Sequence, residues 1–215
     1  MDRRERWEIP GSTSDDRPST QGAVWGISIG LAVVAVVVGM RLASIEPVSS
    51  RPAPFYLMVL LFLAVEALRV DMALGPNSYS ITMSEVGLVV GVLTARPLDT
   101  MVAQSIAVLA VFGLLRRTSF IKLVFNVAFT SLISGLGVLV MLAFHPGPTI
   151  SPAAGFGALT AGLLVGVLDL AAVTTVAELA GHPPRRREFA RQLMYAAASS
   201  LASAAIGVQM VFLGR

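Results

Sequence analysis

Residues 119–144, SFIKLVFNVAFTSLISGLGVLVMLAF, carry one charged side chain, Lys122, in 26 positions. As a helix this run covers about 39 Å at 1.5 Å per residue, more than the roughly 30 Å hydrocarbon core of a bilayer. It reads as a membrane span that accommodates its length by tilting. Arg116 and Arg117 precede it, and Pro146 and Pro148 end it.

Working outward, further apolar runs follow one another with short breaks. The 215 residues are 55% hydrophobic and 13% charged, where a soluble domain carries roughly 25% charged residues. This surface suits lipid rather than water. The predicted fold is all-α, a polytopic transmembrane helix bundle of about seven helices in residues 22–215, preceded by a tail. Residues 1–21 hold four Arg, five acids and two Pro, too little apolar surface to offset ordering, so a disordered cytoplasmic tail is expected. Helix one runs from Gly22 to Ala43. It has no small-x-small cleavage site after it and is expected to stay as an anchor. Helix two runs from Phe55 to Ala73 and is broken by Gly75-Pro76-Asn77. Thr82-Met83-Ser84-Glu85 reads as a capping box that starts helix three. That helix stops near Arg96-Pro97 after about 14 residues, or about 21 Å. Helix four, Leu98 to Leu115, is also modest, so helices three and four are expected to be short, either crossing a thinned bilayer or forming a re-entrant hairpin. Helices six and seven cover 153–180 and the stretch from the Pro183-Pro184 turn to Leu213.

Orientation follows from cations. The loops holding Arg116, Arg117 and Lys122, and Arg185 to Arg191, are basic, whereas His145 to Ser151 carries no formal charge. The positive-inside rule then places the N-terminus in the cytoplasm and the C-terminus outside, with twelve Lys/Arg inside against four outside. The net charge of +3 is a by-product of this topology, and no nucleic acid partner is expected. The lipid bilayer is the expected partner. Gly22, Gly26 and Gly30, and Gly162 and Gly166, are spaced for close helix approach, either in a homodimer or within one chain.

Few residues can carry chemistry. Asp169, in helix six, is the first candidate for ligand binding, because a carboxylate at the bilayer centre costs roughly 2.5–3.5 kcal/mol on insertion scales and should face protein or water. The alternative is fastening of helices through partners such as Asn126 or Gln104. Glu66, Arg69, Asp71 and Glu85 can line a vestibule, or serve as an interfacial ion pair and a cap. No cysteine is present. His145 and His182 fall on opposite sides of the membrane, so no metal site is expected. No nucleotide, hydrolase or zinc-protease motif occurs, so neither a cofactor nor catalysis is expected.

Met83-Ser84-Glu85-Val86-Gly87-Leu88-Val89-Val90-Gly91-Val92-Leu93, then Arg96-Pro97-Leu98, then Lys122-Leu123-Val124-Phe125-Asn126-Val127-Ala128-Phe129 resembles the N-terminal multi-pass membrane domain of bacterial cyclic-di-GMP signalling proteins. The likeness extends more weakly through Asp169 and Ala196 to Ala205. In that family one further helix leads into a GGDEF diguanylate cyclase domain, often with an EAL phosphodiesterase domain. The resemblance thus implies a sensory or anchoring module whose output domain is missing from this chain. A small membrane transporter or substrate-binding component is the alternative, and a purely structural membrane subunit a third reading.

Overall fold

The computed structural model describes residues 18–68, 70–74, 77–81, 83–144, 151–179 and 186–213. Among them are seven α-helices: α1 (Pro18–Ala43), α2 (Phe55–Ala67), α3 (Ser84–Thr94), α4 (Pro97–Ala110), α5 (Phe120–Phe144), α6 (Pro152–Leu179) and α7 (Arg186–Leu213). The fold is all-α. Five of the helices are long and apolar enough to cross a membrane: α1, α4 with the π turn that continues it, α5, α6 and α7. The chain is accordingly a multi-pass membrane protein.

The short helices differ from expectation in one respect. They are α2, with 13 residues, and α3, with 11, about 20 and 17 Å long. Helix four is not short, because a π turn at Val111–Leu115 carries it to 19 residues. Helix two ends at Ala67 rather than Ala73, where Leu68 N–H closes the last turn on Ala64. A two-stranded antiparallel ribbon follows, β1 (Val70–Leu74) paired with β2 (Asn77–Ile81), in a register that sets Val70 against Ile81 and Leu74 against Asn77. Two residues separate the strands, the shortest common hairpin connection. The ribbon satisfies its ladder bonds internally where a longer α2 was expected, and Asp71 lies on it.

Pairwise contacts fix the direction of every helix. The Trp25 ring is 6.0 Å from that of Phe120, and Val38 lies against Gly135, so α1 and α5 run parallel. Gly157 abuts Met141 and Phe144 while Gly137 abuts Val165, making α5 and α6 antiparallel. Gly162 faces Ala204, and Gly166 faces Ser200 and Ala196, so α6 and α7 are antiparallel too. Phe62 packs on Gly87, and Ala53 N–H donates to Thr94 O at 2.6 Å, pinning the start of α2 to the end of α3. The odd-numbered helices therefore point one way and the even-numbered ones the other. Arg116, Arg117, Lys122 and Arg191 gather at one end of the bundle.

The main core joins α1, α3, α5, α6 and α7 through Leu42, Leu88, Val89, Leu93, Val138, Met141 and Ala204. A smaller cluster, Met58, Phe62, Ala95, Ala103 and Ala107, binds α2 to α4. Ile29, Val33, Val36, Val37 and Met40 on α1, Phe156 and Val173 on α6, and Met194 and Met210 on α7 are exposed. An apolar girdle of this kind is solvated by acyl chains.

Candidate functional site

The close approach of α3, α6 and α7 comes from small residues. A methyl group on Gly162 would sit 2.8 Å from Ala204 Cβ, and one on Gly207 would sit 2.9 Å from Val89 Cβ and 3.1 Å from Val86 O. With no driving force from water inside a bilayer, such backbone proximity supplies the packing contact. Gly162 and Gly166 are therefore used within the chain, against α7, and offer no open face for a homodimer. Gly22, Gly26 and Gly30 have open space where a side chain would stand.

Glu85 stands at the junction. It is 6% exposed, with neighbouring Val86, Leu88 and Val89 at 5%, 2% and 0%. Ser200 Oγ on α7 donates to Glu85 Oε1 at 2.7 Å, joining residues 115 positions apart. Glu85 Oε2 is buried and has no hydrogen-bond partner among the described residues. The expected capping box rests on Thr82, which lies outside the described residues; the N-cap of α3 is Met83, with no side-chain cap bond. The first turn of α3 is buried against α7, so the carboxyl meets Ser200.

The depth of Glu85 follows from its neighbours. Within the apolar stretch Phe189–Leu213, Ser200 is about 17 Å from one end and about 20 Å from the other. Gly162, whose added Cβ would be 3.9 Å from Glu85 Cβ, is about 15 Å and about 20 Å from the ends of Pro152–Thr175. The carboxyl is thus near the middle of two spans. Asp169 is two turns further along α6 than Gly162, closer to the helix end than the expected mid-helix position. It is exposed and within electrostatic reach of Glu85.

No family model matches the sequence, and neither curated proteins nor solved structures give a significant match. Function must be read from this site.

The remaining expected residues are scattered. Gln104 Oε1 accepts from Ser134 Oγ at 2.7 Å, so Gln104 fastens α4 to α5. Asn126, half-buried in α5, lies opposite the stretch of α6 near Thr174 by the antiparallel register, away from Asp169. Glu66 is buried in the last turn of α2 and takes part in an interaction of its own. Arg69, His145 and His182 lie outside the described residues. Sequence reading ranked Asp169 first and missed Ser200, whose only signal was its place in the small-residue run Ala196 to Ala205.

A second polar seam, the contact between Ser105 and Ser131 hydroxyls at 2.6 Å, reinforces α4 against α5. Ser200→Ala removes the side-chain donor to Glu85 and is expected to cost about 1 kcal/mol, in the range found for interhelical bonds in membranes. Reversible unfolding in mixed micelles measures this. A loss indistinguishable from that of an exposed control such as Ser119→Ala would show that the Ser200 bond contributes nothing.

Proposed function

We propose that the chain is an integral membrane sensory or anchoring module of a bacterial inner membrane, in which occupancy of the Glu85 site sets how α7 packs on α3 and α6. The observation that carries this reading is the Ser200–Glu85 hydrogen bond. It links α7 to the start of α3 at mid-membrane depth, so a change at the carboxyl alters a helix that runs the full height of the bundle. The likeness of residues 83–93, 96–98 and 122–129 to cyclic-di-GMP signalling proteins supports the same role. A two-state packing biased by a ligand that prefers one state would make the module an input device.

In this reading the basic end of the bundle faces the cytoplasm, so α1 starts inside and α7 ends outside. α2, the ribbon and α3 enter from the outer side and return to it, so five crossings preserve the orientation deduced from seven. A reporter active only outside the cytoplasm, fused after Arg215, is expected to be active. Activity of a cytoplasm-only reporter at that position would contradict the orientation. The role itself is tested by joining the chain, through one added transmembrane helix, to a diguanylate cyclase domain. Cyclic-di-GMP output is expected to differ between wild type and Ser200→Ala. Equal output from both would remove the support for an input role.

A transporter is the second reading, favoured by one observation: α2 and α3 are too short to cross and end near a buried carboxyl, as interrupted helices do around substrate sites in transporters. Solute-coupled ion flux in proteoliposomes holding only this chain would favour it over the sensory role.

A further inference from the structure

The bundle fastens its helices in two chemically different ways. Across α4 and α5 the polar pairs are neutral, Gln104 with Ser134 and Ser105 with Ser131. Each supplies a donor and an acceptor and leaves no charge to solvate. Across α3 and α7 the acceptor is a carboxyl. Fastening needs only a carbonyl oxygen there, which Gln would provide at no risk of stranding an anion in lipid. Glu85 adds one property to that contact, the capacity to take up and release a proton.

The surroundings fit that property. Ser200 occupies Oε1 and leaves Oε2 unpartnered. Thr174 Oγ1 is the other buried side-chain atom without a partner among the described residues, and it cannot ionise at any ordinary pH. The charged group that faces Glu85 from α6 is Asp169. The part of α7 against it presents Ser200 and Ala204, neither ionisable. α2 contributes the buried Glu66, which holds an interaction of its own. Among the described residues no set of three or more His, Asp or Glu side chains is arranged to hold a metal ion. A proton needs one oxygen, and Oε2 is available.

We infer that Glu85 is a proton-binding site in the membrane interior, approached past the exposed Asp169, and that Ser200 couples its charge state to α7. The step is simple: a proton delivered from water adds to the carboxylate at Oε2, forming one O–H bond. Ser200 Oγ continues to donate to Oε1, which becomes the carbonyl oxygen of the acid. Release reverses this and returns a net negative charge to Oε1, where it strengthens the Ser200 bond. The two states thus hold α7 with different force. This deepens the sensory reading by naming the ligand, but titration of Glu85 stands whether or not the chain is an input module.

The test is pH-difference infrared spectroscopy on the full chain in lipid nanodiscs, read in the carbonyl-stretch region of protonated carboxyls. Wild type is expected to show a pH-dependent band that is lost in Glu85→Gln, which keeps the oxygen facing Ser200 but cannot titrate. In Ser200→Ala the band is expected to persist at a shifted frequency, because its carbonyl has lost a donor. In Asp169→Asn it is expected to persist with a changed midpoint pH. The Ser200→Ala shift keeps the test decisive if Glu85→Gln folds poorly. A spectrum unaffected by both Glu85→Gln and Ser200→Ala would overturn the proposal, as would a band that responds to sodium at fixed pH and not to pH. If the band behaves as expected while the cyclase chimera shows no dependence on Ser200, the proton site stands and the sensory reading fails.

Discussion

Gly166→Leu is expected to separate α7 from α6 and give the largest loss of stability of any single change in the bundle. A first methyl at Gly166 already collides with the Ser200 side chain and comes within 3.4 Å of Ala196 O. The remaining carbons of Leu must pass the Ala196 carbonyl, which the first methyl already reaches at contact distance and which no rotamer change removes. Overpacking usually costs 1–3 kcal/mol, and a branched four-carbon side chain in a backbone-to-backbone seam is expected to reach about 3 kcal/mol or more. The Ser200–Glu85 bond should break with it, so the variant loses both packing and the site. Thermal unfolding in detergent measures the first effect. Gly26→Leu is the control, since nothing lies within 4 Å of that position. If Gly166→Leu were as stable as Gly26→Leu, the α6/α7 seam described above would be wrong.

The second large effect is expected at Phe62. Its ring is fully buried and lies over Gly87, where an added Cβ would be 2.6 Å from the ring. Phe62→Ala should cost about 3 kcal/mol, mostly through the cavity left between α2 and α3, since lost dispersion contacts matter in lipid as in water. Gly87→Ala should cost about 1–3 kcal/mol by overpacking. The two are not independent. In the double variant the new methyl enters space vacated by the ring, so the combined loss should be smaller than the sum, a coupling readable in a double-mutant cycle. Strict additivity would mean that Phe62 and Gly87 do not touch.

The long spans were legible because lipid imposes one rule on every residue of a crossing helix, and runs such as Phe120–Phe144 meet it without interruption. The end of α2 was not legible, because Ala67, Leu68, Val70, Met72 and Leu74 are as apolar as the helix before them. Only the two-residue break at Gly75-Pro76 and the alternation in Asn77-Ser-Tyr-Ser-Ile81 hinted at paired strands. Helix four looked shorter than it is because nothing local signals a π turn, which closes through Arg116 N–H to Val111 O at 2.9 Å and is followed by Arg117 at φ 48°.

The site was half legible. Glu85, Asp169 and the Gly162/Gly166 pair all stood out as polar or small residues in apolar sequence. Their meeting point did not, because it depends on α3 and α7 lying side by side across 115 residues of chain. Local rules assigned Glu85 to a cap, and tertiary packing gave its oxygen to Ser200. Asp169 drew attention for being charged, yet it is exposed, and the carboxyl that meets Ser200 lies on another helix.

The shortness of α2 and α3 also shapes the molecule as a whole. Among the described residues seven helices share the half of the bundle's height nearest the Ala53–Thr94 pin, and five continue through the other half. With each helix about 10 Å across, the protein is a wedge that displaces more lipid from one leaflet than from the other. A tapered inclusion of this sort relieves bending stress where a bilayer curves toward its narrow end, so partitioning between small and large vesicles would reveal a preference that a cylinder lacks.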